Sequence, residues 1–138
     1  MQKKIYFIVA AGLLSIVACQ KDEKANPTNS SGDRVSFIAE WSCQENSKRL
    51  GQTTFDVEIK ADSASSTGLL IYNIYNLGIS YKIQATVNRN SFIMYPQIVS
   101  GNQIEGNGNL LSSSLLNMKY TVDDAGVTDT VTATLTKK

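Results

Sequence analysis

Two carboxylates separated by one residue are the first candidates for chemistry in this chain. Asp56 and Glu58 would share one face of a β-strand, with Cα atoms roughly 6.6 Å apart. Two carboxyl groups at about that separation are what a glycosidase uses. However, Phe55, Val57 and Ile59 alternate with them, which places both carboxylates on the polar face of an amphipathic strand. Such catalysis also needs one carboxyl with a pKa raised by burial, so we interpret the pair as solvated surface groups.

The remaining reactive side chains also favour a structural interpretation. The chain contains no histidine, so Cys43 lacks the commonest general base and is expected to be a small apolar residue. Asp123, Asp124 and Asp129 carry oxygens that Ca²⁺ prefers, but their spacing does not match the twelve-residue calcium loop. The segment 123–126 is instead typical of a hairpin turn. We therefore expect no enzymatic activity, no catalytic residue, no metal and no cofactor.

Three side chains are candidates for ligand binding. Tyr72, Tyr75 and Asn76 lie in one short segment, and aromatic rings beside amides could stack on sugars and hydrogen-bond their hydroxyl groups. The alternative is that the tyrosines pack on the sheet and keep only their hydroxyl tips in water. Trp41 is expected to be a core residue rather than a ligand platform.

The N-terminal segment has the features of a secretory leader. Basic residues precede an apolar run, Ile5–Val17, whose thirteen residues are fewer than the ~20 that span a bilayer. The following Ile16-Val17-Ala18-Cys19 resembles the lipobox of bacterial lipoproteins. That resemblance implies a signal peptide over 1–18, cleavage before Cys19 and attachment of Cys19 to a membrane through acyl chains.

The residues after the cysteine carry a second resemblance. Gln20, Lys21, Asp22 and Glu23 are similar to the surface-export tag of Bacteroidota-type lipoproteins. This implies an outer-membrane protein that faces the cell surface. Residues 19–32 contain no large apolar side chain and are expected to form a flexible tether, which would span roughly 20 Å. The full chain has a net charge of +1 and shows no basic stripe, so we expect no nucleic-acid partner.

Residues 33–138 are predicted to form one all-β domain. Apolar residues alternate with polar ones through most of it, which predicts about eight antiparallel strands in a small sandwich or an up-and-down barrel. Pro96 is expected to end one strand, and Gly106–Asn109 is expected to form a flexible corner. The predicted strands are 34–45, 53–60, 69–75, 81–87, 91–95, 115–122 and 128–136, with short pieces at 97–100 and 103–105.

One residue and four segments of this domain carry a family resemblance: Trp41, 83–87, 104–106, 120–124 and 129–137. Through them the domain resembles small all-β lipoproteins of Bacteroidota-type bacteria, some of them calycin- or lipocalin-like. The resemblance supports the fold and the location. The lipobox, the tag, the short tether and the lack of catalytic residues together lead us to expect a lipid-anchored, non-catalytic envelope domain that binds a glycan or protein partner or takes part in envelope assembly.

Two alternatives remain open. One is a small inhibitor that docks an attacking enzyme through a loop such as 101–109. The other is a lipocalin-like carrier of a small apolar ligand, held in a barrel mouth. A core filled by aromatic side chains would leave no room for such a ligand; those side chains are Phe37, Trp41, Phe55, Phe92 and Tyr120.

Overall fold

The computed structural model describes residues 30–138, which form a closed barrel of eight antiparallel strands. Each strand pairs with the next in sequence, and β8 closes the barrel against β1. The all-β prediction is therefore confirmed, and the architecture is a barrel rather than a sandwich. Cys19 and the four residues of the export tag lie outside the described residues. The elements are α1 (Ser30–Val35), β1 (Ala39–Ser47), β2 (Gly51–Ala61), β3 (Gly68–Tyr72), a 3₁₀ turn (Ile74–Asn76), β4 (Lys82–Asn88), β5 (Ser91–Val99), β6 (Asn102–Ser112), β7 (Leu115–Asp124) and β8 (Val127–Lys137).

The barrel has two different ends. At the proximal end, where β1 begins, lie α1 and the connections 62–67, 89–90 and 113–114. At the distal end lie the other four connections, 48–50, 73–81, 100–101 and 125–126. The N-terminal segment enters through α1, so it joins the barrel at the proximal end. Within residues 30–138, no helix is long and apolar enough to span a bilayer.

Side chains from alternate positions fill the interior. Phe37 follows α1 and packs edge-on against Phe92, with ring centroids 5.4 Å apart. Trp41 is fully buried, as predicted, and its indole N–H donates to the Phe37 carbonyl at 2.9 Å. Tyr120 is buried as well, whereas Phe55 is only partly buried against the core. The aromatic filling expected from the sequence is thus largely present.

The start of the domain differs from the sequence prediction. A strand was expected from residue 34, but Arg34 and Val35 belong to α1, and Val35 is exposed. The helix begins at Ser30, inside the segment assigned to the tether. Arg34 donates to the carbonyls of Asp62 at 3.1 Å and Gly68 at 3.5 Å, which fastens α1 to the β2–β3 connection. A six-residue helix is too short for its apolar periodicity to be recognised in a sequence.

The prediction that a strand ends at Pro96 was wrong. β5 continues to Val99, and its pairing with β6 shifts register between Met94 and Gln97, so Pro96 lies in a bulge. A proline is tolerated there because no ladder partner needs its missing N–H. On the other side of β5, the Gln97 side-chain amide accepts from the Gln84 backbone N–H and donates to its carbonyl, both at 2.8 Å. The Gln97 side chain therefore takes the place of a pair of backbone hydrogen bonds between β4 and β5.

The flexible corner predicted at 106–109 was also wrong. Gly106 and Gly108 lie inside the regular strand β6, so most of the segment 101–109, the example given for an inhibitory loop, is not a loop. A Cβ atom at Gly108 would lie 2.3 Å from the Phe92 ring, and one at Gly106 would lie 2.4 Å from the Tyr120 Cβ. Glycine is needed at both positions because the neighbouring aromatic residues occupy the space.

The ladders on both sides of the β3–β4 connection are incomplete. β3 ends at Tyr72 rather than at residue 75, so β2 pairs with β3 only over Glu58–Ala61. Similarly, β4 pairs with β5 only over Thr86–Asn88. The distal half of the barrel is therefore held together less completely around residues 73–81 than elsewhere.

Candidate functional site

Five polar side chains meet inside the distal end of the barrel, and we call them the distal cluster. They are Glu45, Ser47, Tyr75, Tyr120 and Asp129. Glu45 is 2% exposed and Asp129 is 1% exposed, which is rare for carboxyl groups in so small a core. Buried charges cost free energy unless hydrogen bonds compensate them, so the contacts of these two groups decide what the cluster can do.

Asp129 is surrounded by donors. It accepts hydrogen bonds from the Ser47 hydroxyl, from the Tyr75 hydroxyl at 2.8 Å and from the Arg49 backbone N–H at 3.2 Å. Burial by itself would raise the pKa of Asp129, but these bonds lower it below the ordinary 3.8. Asp129 is therefore a carboxylate at neutral pH.

Glu45 behaves in the opposite way. Burial raises the pKa of its carboxyl above the ordinary 4.5, the charge of Asp129 raises it further, and a hydrogen bond from the Tyr120 hydroxyl opposes the increase. Burial, followed by the charge of Glu45, raises the pKa of Tyr120 well above its ordinary value of 10. The cluster thus contains one firmly ionised carboxylate and one carboxyl that holds its proton more tightly than usual.

Strand parity explains why these residues point inward. Glu45 and Ser47 continue the inward series of Trp41 and Cys43 along β1. Asp129 occupies the inward parity of β8, where Val131 follows it. The alternation that predicts the core could therefore also have predicted the cluster, because these polar residues occupy inward-facing positions near the ends of strands. Sequence reasoning missed Glu45 and Ser47 as site residues.

The structure separates the three predicted ligand-binding residues. Tyr75 turns toward the barrel interior, where burial and then the Asp129 contact raise the pKa of its hydroxyl to about 12. Tyr72 lies on the outer surface, with the Lys60 ammonium 5.2 Å from its ring centre. Asn76 is exposed on the connection. The three residues do not form one shared surface.

The outer surface around Tyr72 carries a shallow groove of about 280 Å³. It is lined by Glu40, Asp56, Glu58, Tyr72 and Ile79, among others. The two carboxylates considered as a catalytic pair lie here at the surface, where Asp56 pairs with Lys138 at 2.6 Å and Glu58 with Lys60 at 3.0 Å. Exposed ion pairs of this kind contribute little, and the solvated interpretation of Asp56 and Glu58 holds.

The aspartates considered for Ca²⁺ do not converge. The Asp123 carboxylate accepts from the Gly126 N–H and the Thr128 hydroxyl, both at 2.9 Å, as expected for a hairpin turn, whereas Asp129 faces the interior. Across the described part of the chain, no three His, Cys, Asp or Glu side chains come together as a metal site requires. Cys43 is buried, and burial raises the pKa of its thiol to about 12, which agrees with the predicted apolar role.

The distal end also displays four aliphatic side chains, which we call the distal rim. Leu50 and Ile79 lie in connections 48–50 and 73–81, and Ile98 and Val127 lie near the distal ends of β5 and β8. All four side chains are between 51% and 81% exposed. The proximal end is built mainly from Ser, Thr, Asn and charged residues, with Val35 and Leu111 as its exposed aliphatic side chains. With four exposed aliphatic side chains against two at the proximal end, the distal end is the candidate interaction surface.

Comparisons with known proteins identify the fold and no family. No protein-family model matches the chain, and no curated protein matches its sequence. Among solved structures, the barrel is similar to a redesigned β barrel, b11L5F_LGL, with a TM-score of 0.57 and 10% identity over 77% of this chain and 95% of that chain. It is also similar to EF1p2_mFAP2b, solved bound to DFHBI, with a TM-score of 0.58 and 12% identity over 79% of this chain and 99% of that chain. These likenesses show a shared small-barrel fold.

Proposed function

We propose that this protein is a lipid-anchored, non-catalytic binding barrel of the bacterial outer membrane, which presents its distal end to a partner at the cell surface. The observation that carries the proposal is the difference between the two ends. The N-terminal segment joins the proximal end, whereas the distal rim and the distal cluster lie at the opposite end.

The sequence supplies the anchor in this proposal. The lipobox-like Ile16–Cys19 would attach Cys19 to the membrane, and a tether of roughly 20 Å would let the barrel stand clear of the bilayer. Because the tether leads to α1, the proximal end would face the membrane and the distal rim would face away from it. The tag at 20–23 supports display on the outside of the cell.

The chemistry of the distal end favours a protein partner over a glycan. Four aliphatic side chains gain free energy when they contact apolar surface, whereas sugars mainly offer hydroxyl groups. Small barrels can also hold ligands: EF1p2_mFAP2b, which shares the fold, was solved bound to DFHBI. Binding rather than catalysis is therefore the function that we assign.

Site-specific photo-crosslinking in intact cells tests the proposal. A photoreactive residue at Ile79 should give a discrete crosslinked product, and one at Ala64 on the proximal β2–β3 connection should not. Leu50→Ser should reduce the product formed from position 79, because it removes apolar rim surface without touching the core. Equal products from both positions, or none from either, would contradict a distal binding surface.

Anchoring and display need a separate measurement. Protease added to intact cells should remove the wild-type domain, a variant lacking Lys21–Glu23 should be protected, and Cys19→Ala should no longer fractionate with membranes. Protection of the wild-type protein until the outer membrane is permeabilised would overturn surface display and leave the anchor intact.

A further inference from the structure

We propose that the distal end contains a gated binding site for a small phenolic ligand, and that the protein's own Tyr75 side chain occupies this site in the closed state. The proposal is independent of the lipid anchor and of the partner proposed above, because it concerns the barrel interior. It rests on the contacts of Tyr75, on the backbone that carries it and on the incomplete ladders beside it.

The contacts of Tyr75 are those of a bound phenol. Its ring is half-buried and packs against the core, and its hydroxyl donates to the buried Asp129 carboxylate at 2.8 Å. Asp129 is held in place by the Ser47 hydroxyl and the Arg49 N–H, so it is an oriented acceptor. A carboxylate directed at an aromatic hydroxyl recognises a phenol through a charge-assisted hydrogen bond.

The backbone around Tyr75 is strained. Tyr75 has a φ of 54°, a left-handed conformation that side chains other than glycine disfavour, whereas Asn73 and Asn76, at 63° and 54°, belong to a residue type that adopts it more readily. The conformation of Tyr75 lowers the stability of the closed state relative to an open one. Strain of this kind persists only where surrounding contacts impose it, and here the Tyr75–Asp129 bond is such a contact.

The connection 73–81 also has weak lateral support. On the β2 side, its contact with the neighbouring strand is the Asn73 side-chain amide, which donates to the Asp56 carbonyl at 2.7 Å. On the β5 side, Gln97 and Gln84 supply the side-chain bridge in place of a ladder. Besides these bonds, the segment is held by Ile74, Tyr75 and Leu77, which pack on the core. Release of these three side chains would open the segment locally while the rest of the barrel stays folded.

Opening would create the site. The buried Ile74 and the ring of Tyr75 would leave the interior together, which would uncover Asp129 and Ser47 beside apolar walls. A small molecule with one aromatic ring and one hydroxyl would restore the contacts that Tyr75 makes. The connection 73–81 therefore acts as the gate, and Tyr75 acts as an internal competitor for the ligand.

The first test replaces Tyr75 with glycine, which suits a φ of 54° and removes the competitor. The probe is p-cresol, which is the tyrosine side chain itself. By calorimetry, p-cresol should bind Tyr75→Gly at least about tenfold more tightly than wild type. Toluene should bind this variant at least about tenfold more weakly than p-cresol, because it cannot donate to Asp129. The control is Tyr81→Gly, which removes an exposed tyrosine from the same connection and should leave p-cresol binding as in wild type.

The proposal is overturned if p-cresol binds Tyr75→Gly no better than wild type, or if toluene and p-cresol bind alike. A second variant, Tyr75→Phe, tests the gate without opening a cavity. Hydrogen exchange at the Leu77, Gly78 and Tyr81 amides, all bonded within the connection, should be at least about fivefold faster than in wild type, with β6–β8 unchanged. Unchanged exchange at these three amides would overturn the gate.

Discussion

Asp129→Asn provides the sharpest test of how the distal cluster is held together. At neutral pH the carboxylate accepts from Ser47, Tyr75 and the Arg49 N–H. An asparagine keeps one acceptor oxygen but directs its NH₂ group at donors, so at least one charge-assisted bond is lost and another is weakened. Each such bond contributes about 1.5–3 kcal/mol, and the two hydroxyls can rotate to recover part of the loss. We expect the free energy of unfolding to fall by about 2–4 kcal/mol.

Urea unfolding at pH 7 measures this change, and an unchanged m value would show that the denatured state is not the cause. In thermal unfolding the same loss corresponds to a decrease in Tm of roughly 8–16 °C for a domain of this size. The matched control is Asp124→Asn, an exposed carboxylate at the neighbouring hairpin, which should change stability by less than about 0.5 kcal/mol. A loss below about 1 kcal/mol for Asp129→Asn would refute the reasoning.

The pH dependence follows from the lowered pKa of Asp129. Because this pKa is lower in the folded state, its contribution to stability is complete above the ordinary 3.8 and is lost as pH falls through the folded value. Asp129→Asn should therefore lose less stability than wild type between pH 4 and pH 2. If the free energy of unfolding falls equally steeply with decreasing pH in both proteins, the lowered pKa of Asp129 is contradicted.

Glu45 should give the opposite pH dependence. Its pKa is raised, so its contribution to stability is complete below the ordinary 4.5 and is lost as pH rises through the folded value, and Glu45→Gln should remove that decline in urea titrations. In a Cys19→Ala background, a thiol reagent at pH 8 should label Cys43 only after unfolding, because burial raises its pKa to about 12; labelling of the native protein at the rate of a free thiol would contradict this. Gly108→Ala should cost about 3 kcal/mol in urea unfolding, because its Cβ would overlap the Phe92 ring. Phe92→Leu should compensate part of that cost, so additive effects would show that the ring is not the obstacle.

Much of the fold was predictable because it depends on the local alternation of apolar and polar residues along each strand. β2 and β8 were recognised within a few residues, since Val57 and Ile59, or Val131 and Ala133, alternate with polar neighbours. The hairpin turn at 125–126 was recognised from its Asp and Gly residues. The errors at Pro96 and at 106–109 have a common cause. The conformation of these residues depends on contacts with a neighbouring strand, and the spacing of residues in the sequence does not show which strands are neighbours.

The sequence by itself determined the alternation of apolar and polar residues. That alternation gives the all-β class, the approximate number of strands and the inward-facing positions at which Trp41 and Cys43 are buried. The sequence also contains Ile16–Cys19, a segment that resembles a lipobox and lies outside the described residues. Only the tertiary structure decided that the sheet closes, that Tyr75 turns inward while Tyr72 stays outside, and that Asp129 meets Ser47 across 82 positions of sequence. The physical reason is that closure pairs β8 with β1. Polar residues far apart in the chain thereby enter one small interior, where burial and mutual charge determine which of them is ionised.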